Sequence, residues 1–375
     1  MIRTKCVICD NSSLENIYID KNASISIGSS IDQIENDVNI DLQFVICNGC
    51  GCVQLATLID VNILYKYSHN NTFNTPTWSQ HHTEFFNFIV ENTNSKSFLE
   101  IGGQSGVLSQ KILQKNPFYD YTILDLCDKN PNIQNVSFIP GNCEDYTYTS
   151  KSTILMSHVF EHLYNPTSFI EQIAKDRVPE IFLSIPNMEI SLQNSSISFI
   201  HIEHTFYLSV EMLHSMFSKY GYTCKRMFSF KTHSFFFHFV LSDQCNLLKI
   251  NKEKVDLYKT QFSTYFERRS KVFRDIIIDN NFYIAPSGHF GQYIYRNLER
   301  YKDKMLGFLD NDLSKIGKRM YGTHLLNYPM NEIQKHKEIT VVLFAGPYLS
   351  EIKKQLLDYN PLVKFVNITL ESYLE

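Results

Sequence analysis

Four cysteines in two pairs, Cys6-x2-Cys9 and Cys47-x2-Cys50, stand about forty residues apart near the N-terminus. Two such pairs place four thiolates at the corners of a tetrahedron, which suits Zn2+. Four thiolates leave no open position for water, so a zinc held there is expected to be structural. A redox couple or a coincidence of spacing is the competing reading. A second motif, Glu100-Ile-Gly102-Gly-Gln-Ser-Gly106, follows a short apolar strand. An acid and glycines at a strand-to-helix turn mark the place where an open α/β sheet holds a nucleoside-type cofactor. The glycines allow a sharp turn and leave the space a ligand needs. Asp125 ends the following strand, where a carboxylate takes both hydroxyls of a ribose. Gln104 and Ser105 interrupt the G-x-G-x-x-G of a phosphate cradle, so the turn favours S-adenosylmethionine over a dinucleotide. Glu144, in Asn142-Cys-Glu-Asp145, is a candidate contact to the adenine, with an exposed acidic loop as the alternative. His158, in Ser157-His-Val-Phe-Glu161-His162, follows the next strand and is a candidate at the cofactor and at the reacting centre. Glu161 and His162 could equally cap or pack the next helix.

The elements that must position these groups alternate. Ser97–Ile101, Tyr121–Asp125, Val136–Ile139, Ser152–Met156 and Glu180–Ile185 read as strands, with helices over 106–114 and 168–175. That order predicts a parallel sheet with helices on both faces. Residues 62–90 look helical, 234–241 read as a late buried strand, and 247–279 as a charged amphipathic helix. A second α/β unit opens at Phe282–Gly288 and continues through Met305–Asp310 and Ile339–Phe344. The expected organisation is α/β throughout. An N-terminal zinc-knuckle module spans 1–60, a class I Rossmann-like cofactor domain with a helical lead-in spans 61–245, and a second Rossmann-like domain spans 246–375.

The chain of 375 residues is too long for one ordinary core. A formal charge of −4 argues against non-specific nucleic-acid binding. No apolar run approaches the roughly 20 residues of a membrane span, and the start, Met-Ile-Arg-Thr-Lys, runs straight into the first cysteine pair, so no signal peptide is expected. Of nine cysteines, Cys52, Cys127, Cys143, Cys224 and Cys245 show no disulfide framework, which favours a cytoplasmic setting. A monomer is compatible with this sequence, which does not define the oligomeric state.

Taken together, these residues resemble the sugar C-methyltransferases that act on nucleotide-linked deoxysugars. Cys6-Val-Ile-Cys9 and Cys47-Asn-Gly-Cys50-Gly-Cys-Val-Gln-Leu55 look like that family's zinc knuckles. Tyr65-Lys-Tyr67-Ser-His-Asn is similar to its tyrosine-rich segment, and Glu100-Ile-Gly102 to its cofactor turn. His201-Ile-Glu203-His204-Thr-Phe-Tyr207 resembles its His-Glu-His signature, and Leu309–Gly317 with Tyr321-Gly-Thr323 its C-terminal domain. The chain departs from the pattern in three places. His201 stands one position nearer Glu203-His204, the stretch at His233-Ser234-Phe lacks the family's arginine, and Cys52 is an extra thiol.

The resemblance implies methyl transfer from S-adenosylmethionine to a carbon of a nucleotide-linked keto sugar, without nucleic-acid or membrane partners. Such a transfer requires an enolate: a base removes the proton beside the ketone and a donor steadies the oxygen. His204 suits the base because an imidazole titrates near neutral pH, Glu203 could orient it, and Tyr67 could bond the keto oxygen. A structural role for His204, capping the helix after Ser209, competes. An O- or N-methyltransferase is the nearest alternative. A nicotinamide-dependent sugar dehydrogenase is disfavoured by the lack of a Tyr-x-x-x-Lys pair, and an inactive zinc-ribbon binding protein by the set Glu100, Asp125 and His204. The sugar, its nucleotide and the methylated atom are not encoded in any motif.

Overall fold

A computed structural model describes the chain except residues 1, 27–28, 31–32, 66–75, 104, 195, 197–198, 201, 243, 246–249, 345–348 and 369–375. The chain begins with β1 (Leu14–Ser24), β2 (Ser29–Ser30), β3 (Asn39–Cys47) and β4 (Val53–Leu55), then α1 (Val61–Leu64) and α2 (Pro76–Asn92). The central part runs β5 (Ser97–Ile101), α3 (Val107–Lys115), β6 (Asp120–Asp125), β7 (Val136–Pro140), β8 (Thr153–Ser157), α4 (Pro166–Lys175) and β9 (Glu180–Pro186). It continues with α5 (Met188–Gln193), β10 (Phe206–Tyr207), α6 (Val210–Lys219), β11 (Tyr222–Phe230) and β12 (Ser234–Leu241). After α7 (Lys252–Lys271) come β13 (Phe282–Ala285), α8 (His289–Asn297), β14 (Met305–Asp310), β15 (Arg319–Met320), β16 (Asn327–Pro329), β17 (Thr340–Phe344), α9 (Leu349–Tyr359) and β18 (Lys364–Ile368).

The central sheet has the order β11-β12-β9-β8-β5-β6-β7. Its five strands from β9 to β7 are parallel, and β12 runs antiparallel to both β9 and β11. The parallel strands are buried on both faces and therefore read as continuous apolar runs such as Thr153-Ile-Leu-Met156. One face is covered by α2 and α3 through Phe85, Phe88, Ile89 and Ile112. The other is covered by α4 and α6 through Ile170, Ile173, Met212 and Phe217. The strand order reverses between β5 and β8, and the crevice above their C-terminal ends is where such a sheet binds ligand. The C-terminal sheet, β16-β14-β13-β17-β18, is wholly parallel and reverses between β13 and β17.

Of the helix expected over 62–90, the described residues carry α1, which ends at Leu64, and α2, which runs from Pro76 to Asn92; residues 66–75 lie outside them. The helix expected over 247–279 is confined to α7, because Asn251 caps it by accepting from the Lys254 N–H. The N-terminal sheet, β1-β3-β4-β10, borrows its last strand from the central part of the chain. It also reaches the C-terminal part, where β2 pairs with β15 and Arg319 forms an ion pair with Asp37 at 2.6 Å.

Candidate active site

The turn after β5 has the local geometry a cofactor needs. Gly102 and Gly106 lie at φ +74° and +66°, a region that side chains rarely adopt. A Cβ on Gly102 would collide with Val159, and one on Gly106 with Ile133. Glu100 is buried beneath the loop and accepts from the Tyr121 hydroxyl at 2.8 Å; a Cβ on Gly103 would meet its carboxylate. Burial pushes the Glu100 carboxyl up to about 8. Asp125 stands at the end of β6, half-buried, its Oδ1 accepting from the Cys127 N–H at 2.8 Å. Glu144, the expected adenine contact, stands in the turn of 3-10 helix after β7. Its carboxylate accepts from the backbone N–H of Tyr164 at 3.0 Å and from that of Asn165, so it ties down the loop before α4.

Across the crevice, two acid–imidazole pairs are buried beyond β8. His204 lies with Nε2 3.9 Å from Glu161 Oε1, and the same oxygen is 3.3 Å from His158 Nδ1. Glu203 approaches His162 instead, at 3.7 Å, and the Tyr65 hydroxyl sits 3.1 Å from the same ring nitrogen. The His162 and His204 rings are 5.1 Å apart, so the two pairs form one assembly. Burial holds His204 and His158 below the ordinary histidine range and raises the Glu161 and Glu203 carboxyls to about 7 and about 8. Adjacency in sequence suggested that Glu203 serves His204; the fold brings it to His162 and gives His204 a second acid, Glu161. Tyr67 and His201 lie outside the described residues. His162, for which capping or packing is the equal alternative from sequence, and Tyr65, marked there only as part of the tyrosine-rich segment, are brought together in this assembly. A spacing signal existed, since Glu161 and His162 follow His158 by three and four residues and one turn of 3-10 helix, Phe160–His162, gathers all three.

The loop carrying Glu203 and His204 is held by the N-terminal module. Directly after it, β10 pairs with β4, and the Leu55 N–H donates to the Thr205 carbonyl at 2.9 Å. The buried Arg3 guanidinium donates to the same carbonyl at 2.5 Å and to Tyr164 O at 2.8 Å. The cysteine pairs brace β4 in turn: the buried Gln54 accepts from the Val7 N–H and donates to Lys5 O, each at 3.0 Å. The Sγ atoms of Cys6 and Cys50, and of Cys9 and Cys47, are 3.5 Å apart, and all four lie within 4.8 Å of one another. Four sulfurs at 2.3 Å from a tetrahedral zinc would be about 3.8 Å apart, so the set fits that ion. Cys52 is not one of the four; its Sγ lies 3.5 Å from Val53 O and 3.7 Å from Tyr207 O.

Residues 76–226 match the family model described as a methyltransferase domain. No curated protein sequence matches the chain. Among solved structures, a chain from the complex of the Haloferax volcanii Trm112 methyltransferase activator with its methyltransferase is 14% identical, with a TM-score of 0.38 over 44% of this chain and 92% of that one. The magnesium protoporphyrin IX methyltransferase of Synechocystis PCC 6803, solved with bound SAH, is 14% identical at a TM-score of 0.37, over 48% of this chain and 92% of that one. The plantazolicin methyltransferase BpumL is 14% identical at 0.36, over 46% and 88%. The matched domain, on this sheet order, supports an S-adenosylmethionine-dependent methyltransferase. Among the described residues no helix is long and apolar enough to cross a membrane.

Proposed function

We propose that this methyltransferase alkylates a carbon of a nucleotide-linked keto sugar, through an enolate. The observation that carries the reading is the buried pairing of His204 with Glu161 beside that of His162 with Glu203. When bound, S-adenosylmethionine supplies an electrophilic methyl group on a sulfonium. Glu100, Gly102, Gly106 and Asp125 are assigned to holding it.

His204, kept neutral by burial, is the group to accept a proton from the carbon next to the ketone, and Glu161 faces the positive charge that the ring would then carry. Glu203, with its carboxyl at about 8, holds its own proton at neutral pH. A buried carboxylic acid of this kind donates a hydrogen bond to a developing enolate oxygen. The Tyr65 hydroxyl fixes the orientation of His162 next to it. The four cysteines are assigned to a structural Zn2+ that braces β4 and, through β10, the base loop. In this reading residues 1–60 are the zinc module, 61–245 the transfer domain and 246–375 a domain that aids substrate binding.

The deciding experiment incubates the protein with methyl-labelled S-adenosylmethionine and a panel of nucleotide-linked keto sugars, followed by mass spectrometry and NMR of the product. A new carbon–methyl bond is expected. A methyl group found on oxygen or nitrogen would replace the carbon-acid mechanism, and transfer to none of the panel would remove the sugar.

A further inference from the structure

Three imidazoles meet beside the base assembly and take no part in the transfer as described. His81 comes from α2, His158 from the loop after β8, and His233 from the turn between β11 and β12. Their ring centres are 5.2, 5.3 and 5.5 Å apart, and one nitrogen from each lies within 4.8 Å of the other two. Trp78 closes one side, nearly perpendicular to all three rings at 4.9–5.1 Å.

We propose that His81, His158 and His233 bind a divalent transition-metal ion such as Zn2+, at a second site separate from the four cysteines. Imidazole is a preferred ligand of such ions, and three protein ligands leave a fourth position for water or a substrate oxygen. The hydrogen bonds show where the rings converge. The Ser234 hydroxyl is bonded both to His158 Nε2, at 2.8 Å, and to His233 Nδ1. The Ser184 hydroxyl lies 2.8 Å from His81 Nε2. Both serines are buried on neighbouring strands, at the floor of the cluster.

The far side of His158 points the same way. Its Nδ1 faces the Glu161 carboxylate at 3.3 Å, the arrangement in which an acid fixes the tautomer of a metal-binding histidine and leaves Nε2 as the ligand. His158 holds this position at φ +55°, a conformation that costs a non-glycine residue about 1–3 kcal/mol and gathers at functional sites. Among the described residues His81 Nδ1 is buried with no hydrogen-bond partner, so the ring is held through Nε2, the nitrogen beside Ser184. Bringing the nitrogens to about 2.0–2.1 Å from one ion takes side-chain rotation, chiefly of the half-buried His233.

The test counts metal by chemistry. Full-length protein is loaded with Zn2+, freed of loosely bound ion and treated with a thiol-blocking mercurial, which releases cysteine-held zinc. About one equivalent insensitive to the mercurial is expected. His233→Ala and His81→Ala should each abolish that fraction and leave the mercurial-released fraction unchanged. His233 sits on a surface turn, so its variant is the safer of the two for folding, checked by circular dichroism. No mercurial-insensitive zinc in the wild-type protein would overturn the proposal, as would its full retention in both folded variants. Because no turnover is measured, the outcome does not depend on the substrate.

Discussion

The Tyr65 hydroxyl lies 3.1 Å from His162 Nδ1, which joins the segment after the cysteine module to the end of β8. Since Glu203 approaches the same ring at 3.7 Å, Tyr65 decides how that imidazole is turned. Tyr65→Phe removes one hydrogen bond of roughly 0.5–1.5 kcal/mol, so turnover should fall by about tenfold. Affinity for S-adenosylmethionine, measured by calorimetry, should not change, because Glu100 and Asp125 are untouched. An equal loss in both would mean that Tyr65 supports the fold of the crevice as a whole.

At the cofactor turn, Gly102→Val should abolish binding of S-adenosylmethionine. The sequence motif suggests that a side chain there fills ligand space. The structure adds that a Cβ collides with Val159 and that φ is +74°, so the turn itself is displaced. Asp125→Ala, which leaves the backbone alone, should weaken binding by roughly 1–3 kcal/mol. Unchanged affinity in both variants would move the cofactor elsewhere.

The cysteine module should matter for catalysis at a distance. Cys47→Ser or chelation of the bound metal should lower the unfolding temperature and loosen β3 and β4, since metal binding and folding are coupled in such modules. As β4 pairs with β10 immediately after His204, turnover should fall even in protein that stays folded. Hydrogen exchange of the Leu55 amide, which donates to Thr205 O, reports the loosening directly. A metal-free protein with native exchange there and full activity would detach the module from the site.

The parallel sheet could be read from sequence because each strand is a local apolar run with an acid at or near its end, Glu100 on β5 or Asp125 on β6. The pairing of acids and histidines could not. Glu203 and His204 are neighbours in the chain, but their side chains diverge around a turn, and the partners that meet them, His162 and Glu161, come from another loop. That meeting is fixed by the β4–β10 pairing, a contact over about 150 residues. The histidine cluster was hidden for the same reason: His81, His158 and His233 are distant in sequence, and His233 stood out only as a departure from a family pattern. The bonds of Glu144 were equally out of reach, because its carboxylate accepts from the Tyr164 and Asn165 amides of a loop twenty residues away.

Glu203 should leave a mark on stability against pH. Its carboxyl is raised by burial from 4.5 to about 8 in the folded chain, so the folded state binds this proton more tightly than the unfolded state does. Nothing is lost below pH 4.5; the cost grows as pH rises through the interval and levels off above about 8. Glu203→Gln removes the titration. The variant should therefore gain on wild type between those limits, on the order of a few kcal/mol at the plateau, in urea unfolding at a series of pH values. A constant difference between the two proteins across the range would show that Glu203 is ionised in the fold.

The assignment of the base can be tested without the methyl donor. If His204 removes the proton, exchange of the substrate's α-proton with deuterated solvent should proceed in wild type and fall by roughly 10²–10⁴-fold in His204→Asn. Methyl transfer should fall in parallel and cofactor binding should hold. The neighbouring His162→Asn is the informative control, because its ring lies 5.1 Å from that of His204 and has its own acid in Glu203. Were His162→Asn to stop exchange while His204→Asn turned over normally, the base would be the histidine that Tyr65 orients, and Glu203 its partner. Were neither to affect exchange while both slowed transfer, the two rings would be positioning the substrate, and the acceptor would be an oxygen or nitrogen that needs no carbon acid.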